Sequence, residues 1–330
     1  MNGILTRNLE SSEVHPSSAK TIEIDGRGKI WSVAFLIDGK HVVSGDERGK
    51  IRRWRVEDGM RVGTPMAAGS SVLDIAVSRD GKWIVSGTRG GQVQVWNVES
   101  GGKVREFKGD SRWAVCALDV SPDSTRIANE LGNGTVCVRS LSTGQQLLDP
   151  WKHGCSAGAV KFSPDGRFIA TAVLFSILIY DSEDDDLVVR VLIEVSSSPN
   201  NSLAWSSNSK QLFAVSSGKI ICLDASTGAT LSQWSIHGHE YNRIALASHG
   251  AFIAASSGSS ITFWDTTTHE QIGSVIELTG KVECMTISTN NDIVIGSDEK
   301  ITLRSLCDIL PSSYCDAVST FELRTQFAAQ

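Results

Sequence analysis

A spacing in the low forties recurs along this chain of 330 residues and constrains its fold more than any other feature. The last apolar residue of an alternating strand pattern falls at Trp54, Trp96, Val138, Tyr180, Leu223, Trp264 and Leu303. The gaps are 42, 42, 42, 43, 41 and 39 residues, so there are seven units. Residues 81–98, GKWIVSGTRGGQVQVWNV, show the pattern most plainly: an apolar strand, a glycine turn, then an alternating strand ending on Trp96. A second landmark precedes each anchor. It runs LIDGK (36–40), SRDGK (78–82), SPDST (121–125), SPDGR (163–167), SSNSK (206–210), ASHGA (247–251) and STNND (288–292). Asp-Gly and Pro-Asp pairs make tight hairpins, because Gly and Asn accept positive φ and Asp caps its own turn.

Each unit therefore holds three short strands joined by tight turns, then a polar stretch that holds a fourth. Evenly spaced strands with no amphipathic helix between them are an all-β pattern. The strands are apolar on both faces, as Val33 and Phe35 set against Ala34, or Ile84 against Val85. A lone four-stranded sheet cannot bury both faces, whereas stacking successive sheets in a ring does. Each large side chain so buried contributes roughly 1.5–3 kcal/mol against chain entropy.

With AVKFSPD (159–165), WSVAFLIDG (31–39), VSGTRGGQVQVW (85–96) and ITFWD (261–265), residues 21–306 resemble WD40 repeats. The resemblance implies a seven-bladed β-propeller of WD40 type with four-stranded antiparallel blades. It also implies the family's usual role, a non-catalytic platform for protein partners. Departures are many. Only Trp264-Asp265 keeps the Trp-Asp pair and only Gly238-His239 the Gly-His pair, so the family's His, Ser/Thr, Asp and Trp network is incomplete in every unit.

The seventh unit lacks an outer strand downstream. The segment 21–24 (TIEI) matches one, and we expect it to pair with residues 301–304 and close the ring from the N-terminus. The alternative is residues 320–323 of the C-terminal tail. The expected organisation is a disordered tail over 1–18, a propeller over 19–306 and a C-terminal tail over 307–330, packed on the last blade or loose.

The net charge of −6 argues against phosphate-driven nucleic-acid binding and gives no strong membrane signal. Seven cysteines with no C-x-x-C spacing read as reduced, mostly buried thiols of an intracellular protein. No leader peptide is expected from the first residues, and the location expected is cytoplasmic or nuclear.

Few constellations invite chemistry. His237 and His239 could face one side of a strand and hold zinc, but no third ligand stands at a telling spacing, so no metal or other cofactor is expected. Residues 183–186 (EDDD) lack the alternating layout of a Ca²⁺ loop and read as a solvated turn that keeps a sheet edge from pairing. On the inner strands, Asp74, Asp119, Lys161, Arg243 and Glu283 carry charge. Asp119 and Lys161 share a register in adjacent units and suggest an ion pair between blades. The competing reading is an enzyme or small-ligand binder using the central channel. Against it, no Asp or His repeats at a fixed inner position.

In this architecture the loops leading into the first strand and those joining the second to the third share one rim. The candidate partner-binding residues there are Arg27, Lys29, Trp31 and Arg48 from blade one, Arg89 from blade two, Arg112 and Trp113 from blade three, and Tyr241 and Asn242 from blade six. Exposed Trp, Tyr and Arg are the types enriched in binding hot spots. The structural alternative is that Trp31 and Trp113 fill space between blades. The basic side made by blades one to three suits an acidic peptide. The function expected is a protein-interaction scaffold, acting as a monomer or as a subunit of a larger complex, with no enzyme activity.

Overall fold

The computed structural model describes residues 20–23, 28–108, 112–154, 157–173, 176–184, 186–192, 203–216, 218–236, 243–246 and 250–315. They form seven four-stranded antiparallel sheets. Each inner strand contacts the inner strand of the next sheet, and the seventh returns to the first, so the sheets close a ring. Blade one, from the axis outward, is Ile30–Phe35, His41–Asp46, Lys50–Arg55 and Arg61–Ala67. The other blades repeat that order, which is the all-β propeller the repeat spacing implies.

Ring closure follows from an offset between repeat and blade. Blade seven takes its three inner strands, Val282–Ile287, Asp292–Ser297 and Lys300–Ser305, from the end of the chain. Its outer strand, Lys20–Glu23, comes from the beginning. The register is Lys20↔Leu303, Thr21↔Thr302, Ile22↔Ile301 and Glu23↔Lys300, the N-terminal pairing expected from the sequence. Residues 320–323, the alternative closing segment, lie outside the described residues, as do residues 1–19.

The core is divided rather than central. Among the described residues the apolar side chains gather into seven clusters, one in each space between adjacent blades. Between blades one and two, for example, Val43, Ile51 and Met66 meet Val72, Ile75, Ile84 and Trp96. Two-sided strands are what such a division needs, since each sheet packs on both neighbours.

The seven first turns share one conformation. Their fourth residue has positive φ in every blade: Gly39 (61°), Gly81 (72°), Ser124 (61°), Gly166 (77°), Ser209 (60°), Gly250 (76°) and Asn291 (59°). Serine pays for that backbone at two of them. In both, its hydroxyl accepts an amide from the preceding blade: Asp80 N–H donates to Ser124 Oγ at 3.1 Å and Asp165 N–H to Ser209 Oγ at 3.0 Å.

The structure corrects the reading of all cysteines as free thiols. A 3₁₀ turn, Leu306–Asp308, and a short helix, Ser312–Cys315, bring the Cα atoms of Cys307 and Cys315 to 5.7 Å, and the two form a disulfide. The strap they close packs on blades six and seven. Leu306 and Leu310 enter the core there, and the Tyr314 hydroxyl donates to Asp265 Oδ2 at 2.6 Å.

Candidate partner-binding face

On the rim that carries the candidate residues, the same bond ties blades one to three. The turn between the second and third strands donates an amide to the loop leading into the first: Glu47 N to Lys29 O, Arg89 N to Ser71 O and Gly132 N to Ala114 O, each at 2.8 Å. In blade one the Asp46 carboxylate shapes that turn. Its Oδ1 accepts from Arg48 N at 2.9 Å and Lys50 N at 2.8 Å, while Oδ2 pairs with the buried Arg52 guanidinium. Gly49 completes the turn at φ +74°, and a Cβ there would stand 2.5 Å from the Ser70 carbonyl oxygen.

This scaffold gathers Lys29, Trp31 and Arg48. The Lys29 ammonium lies 5.4 Å from the Trp31 ring centroid and 3.4 Å from Glu283 Oε1 of blade seven. The Arg48 chain runs over Gly28, with Cγ 3.3 Å from where a Gly28 Cβ would be. Trp31 is half-buried, and its indole Nε1 is buried with no hydrogen-bond partner among the described residues. Arg89 and Arg112 are exposed. Trp113 is 43% exposed, so it projects from the rim rather than filling the space between blades. Arg27, Tyr241, Asn242 and the His237–His239 pair lie outside the described residues.

The charged groups of the inner strands have a different task. Asp74 Oδ1 accepts the Ser32 hydroxyl at 2.9 Å and its Oδ2 accepts Leu118 N at 2.9 Å, so one carboxylate joins three blades. Asp119 Oδ2 accepts Phe162 N at 2.9 Å, and its Oδ1 stands 3.8 Å from Lys161 Nζ, the ion pair between blades three and four that the register suggests. Trp205 Nε1 donates to Lys161 O at 3.1 Å, and Arg243 Nε to Glu283 O at 2.9 Å. These bonds form a brace across most blade junctions, one sequence reasoning finds only in the Asp119–Lys161 pair. Apart from the Ser32 hydroxyl, the other partners are backbone groups, invisible to a search for complementary side chains.

Burial raises the Asp74 pKa above its ordinary value despite Lys161 and its hydrogen bonds. For Lys161, burial works against the ammonium, but Asp119 and Asp74 outweigh it and raise the pKa. Burial pushes the Cys116 thiol up to about 12, with Glu130 and Asp74 adding to the shift and Arg89 opposing it. A thiol held that high is protonated at neutral pH and is a poor nucleophile. Among the described residues no group of three or more His, Cys, Asp or Glu side chains is placed to hold a metal ion.

Traces of the repeat's polar network persist. Trp54 Nε1 donates to Ser44 Oγ at 2.9 Å and Trp96 Nε1 to Ser86 Oγ at 3.0 Å, the same bond in blades one and two. In blade six Trp264 Nε1 turns to Thr262 Oγ1 at 2.9 Å.

Comparison with known proteins points the same way. The family described as WD domain, G-beta repeat matches residues 19–55 and 61–97, the segments whose Trp–Ser bonds are intact. The human kinesin-like protein KIF21A is 26% identical over 187 residues, 55% of this chain and 10% of that protein. Protein hir1 of Aspergillus terreus is 23% identical over 154 residues, 43% of this chain and 14% of its own length. Human kinesin-like protein KIF21B is 23% identical over 161 residues, 47% of this chain and 8% of its own. The chain thus matches about a tenth of the length of these relatives. Two repeat matches within seven blades of one build are consistent with a WD40-repeat β-propeller.

Proposed function

We propose that the chain is a non-catalytic scaffold that holds partner proteins or peptides on the rim of blades one to three, through Lys29, Trp31, Arg48, Arg89, Arg112 and Trp113. The observation that carries this reading is the exposed Trp113 ring on the same rim as Arg48, Arg89 and Arg112. An aromatic anchor among guanidinium groups is the composition of a binding hot spot. Its charge favours an acidic segment, which Arg can hold through paired hydrogen bonds. WD40 propellers generally act as such platforms, and the relatives, which share only a tenth of their length with this chain, name no partner for it. The channel reading has less chemistry left to it, since Asp74, Asp119 and Arg243 all serve junctions between blades.

Affinity purification of the tagged chain beside an Arg48→Glu/Arg89→Glu/Trp113→Ala variant, with mass spectrometry, tests the proposal. Partners lost only from the variant support it. An unchanged partner list removes the rim from consideration. We also propose a cytoplasmic or nuclear location, where Cys307 and Cys315 would meet a reducing pool. Maleimide labelling of freshly quenched extracts reads their state: labelled thiols agree with that location, and a protected pair argues for an oxidising compartment.

A further inference from the structure

The outer strand of every blade ends its sheet in a row of backbone N–H and C=O groups, and proteins guard such edges with charge, proline, bulges, brevity or cover. Six edges here are guarded or polar. Blade one's carries Pro65 and blade two's carries Lys103, Arg105, Glu106 and Lys108. Blade three's is only the two residues Trp151–Lys152, and blade five's, Thr230–Ser235, is polar apart from Leu231 and Trp234. On blade six the strap crosses close to Gly273, where a Cβ would meet Ile309 O at 2.6 Å. Blade seven's has Lys20 and Glu23 at its ends.

Blade four is the exception. Its outer strand, Leu187–Leu192, has the sequence LVVRVL and a single charge, Arg190. Leu187 is 49% exposed, Val188 42% and Leu192 75%. At the foot of this strand lies a shallow, open hollow of about 380 Å³ lined by Leu147 and Asp149 of blade three and Glu183 and Asp184 of blade four, hereafter the cavity. It opens there because blade three has almost no outer strand, so residues 141–150 cross as a loop and leave Leu147 47% exposed.

We infer that the outer edge of blade four is a docking site for an extended segment of a partner protein. The segment adds as a fifth strand, with apolar residues at alternate positions, an acidic residue near Arg190 and a basic residue in the cavity between Asp149 and Glu183. The edge supplies main-chain hydrogen bonds, and the exposed leucines and the charges at either end supply selectivity. The acidic turn at 183–184 stands beyond the strand. It repels acidic edges and favours a chain that brings a cation to it, which unites its guarding role with a selecting one. This surface is independent of the rim on blades one to three.

The probe is a fluorescently labelled synthetic peptide of alternating valine and threonine, with one glutamate in a valine position to face Arg190 and a lysine pair at its C-terminus, the end an antiparallel strand brings to the cavity. A scrambled peptide of the same composition is the control, and the full chain is titrated by anisotropy. The expected result is binding of the probe over the scramble, weakened about tenfold or more by Leu192→Lys or Arg190→Glu. Asp184→Lys weakens it too and flattens its salt dependence, while Arg48→Glu leaves it unchanged. Leu192 is exposed, so the melting curve of Leu192→Lys should overlay that of the wild type. Equal binding of the scramble, or full binding by Leu192→Lys, overturns the inference. So does a wild-type chain that sediments as a dimer and becomes monomeric on Leu192→Lys, since a second copy would then be the occupant.

Discussion

Glycine and serine, not the large apolar residues, show most directly at the residue scale how blades fit. Gly45 and Gly87 occupy one position in the second strands of blades one and two, where a Cβ would stand 2.5 Å from Cγ1 of Val72 and of Val115 in the next blade. Gly87→Val should therefore cost roughly 1–3 kcal/mol by overpacking, read as a lower urea midpoint at unchanged slope. Ser124 balances an unfavourable φ against the bond it accepts from Asp80 N. Ser124→Gly gives up the bond and the strain together, whereas Ser124→Ala gives up only the bond. The alanine variant should be the less stable by about 1 kcal/mol in the same assay. Turn carboxylates set the acid limit. Hydrogen bonds from the Ser226 hydroxyl and from the amide and hydroxyl of Thr227 hold Asp224 down at about 2. At Asp165 and Asp265 burial pushes upward, but hydrogen bonds outweigh it and both lie below the ordinary value of 3.8. A depressed carboxyl stabilises the fold above its unfolded pKa and loses that contribution as the folded form takes up its proton. The melting temperature should thus hold from neutral pH to about pH 4 and fall between there and about pH 2, followed by circular dichroism.

The C-terminal strap illustrates what elements add. Its two short helical turns are too brief to be stable alone. They persist because Leu306 and Leu310 are buried, Asn291 Nδ2 donates to Tyr314 O at 3.1 Å, and the disulfide closes the loop. Cys307→Ser should lower stability by about 2 kcal/mol, and Tyr314→Phe by about 1 kcal/mol, measured by denaturant unfolding under oxidising conditions. Sequence reading left this segment open between packed and loose, because no repeat template covers it and its partners, Asp265 and Asn291, lie at the end of a blade-six strand and in a blade-seven turn. The seven first turns were legible for the opposite reason: a tight hairpin is decided by four or five consecutive residues. Sequence comparison alone aligned Ser124, Ser209 and Asn291 with the glycines, and their common positive φ agrees.

For the whole molecule, closure is the cooperative step. Removing residues 1–25 takes away the outer strand of blade seven and leaves Lys300–Ser305 as an open edge. The truncated chain should melt at a lower temperature and over a broader range than the intact one in calorimetry, since a ring with one weakened blade opens there first. The rim residues were named from the repeat template, which knows which loops share a side but not what each side chain meets. It therefore could not separate the projecting Trp113 from Trp31, which lies half-buried under the Lys29 ammonium. The blade-four edge was missed altogether, because its openness comes from the short outer strand of the neighbouring blade. By itself the sequence determined the number of units, the strand-and-turn order within each and the two-sided apolar pattern, all of which depend on neighbours in the chain or on the repeat; between its two candidates for the closing strand, the tertiary structure chose the N-terminal one. Only the tertiary structure decided which charges brace the channel, which cysteines meet, and which rim and edge groups stay open. The braces and the open groups depend on contacts between separate blades, and the cysteine pair on how the strap packs against blades six and seven, so no local pattern encodes them.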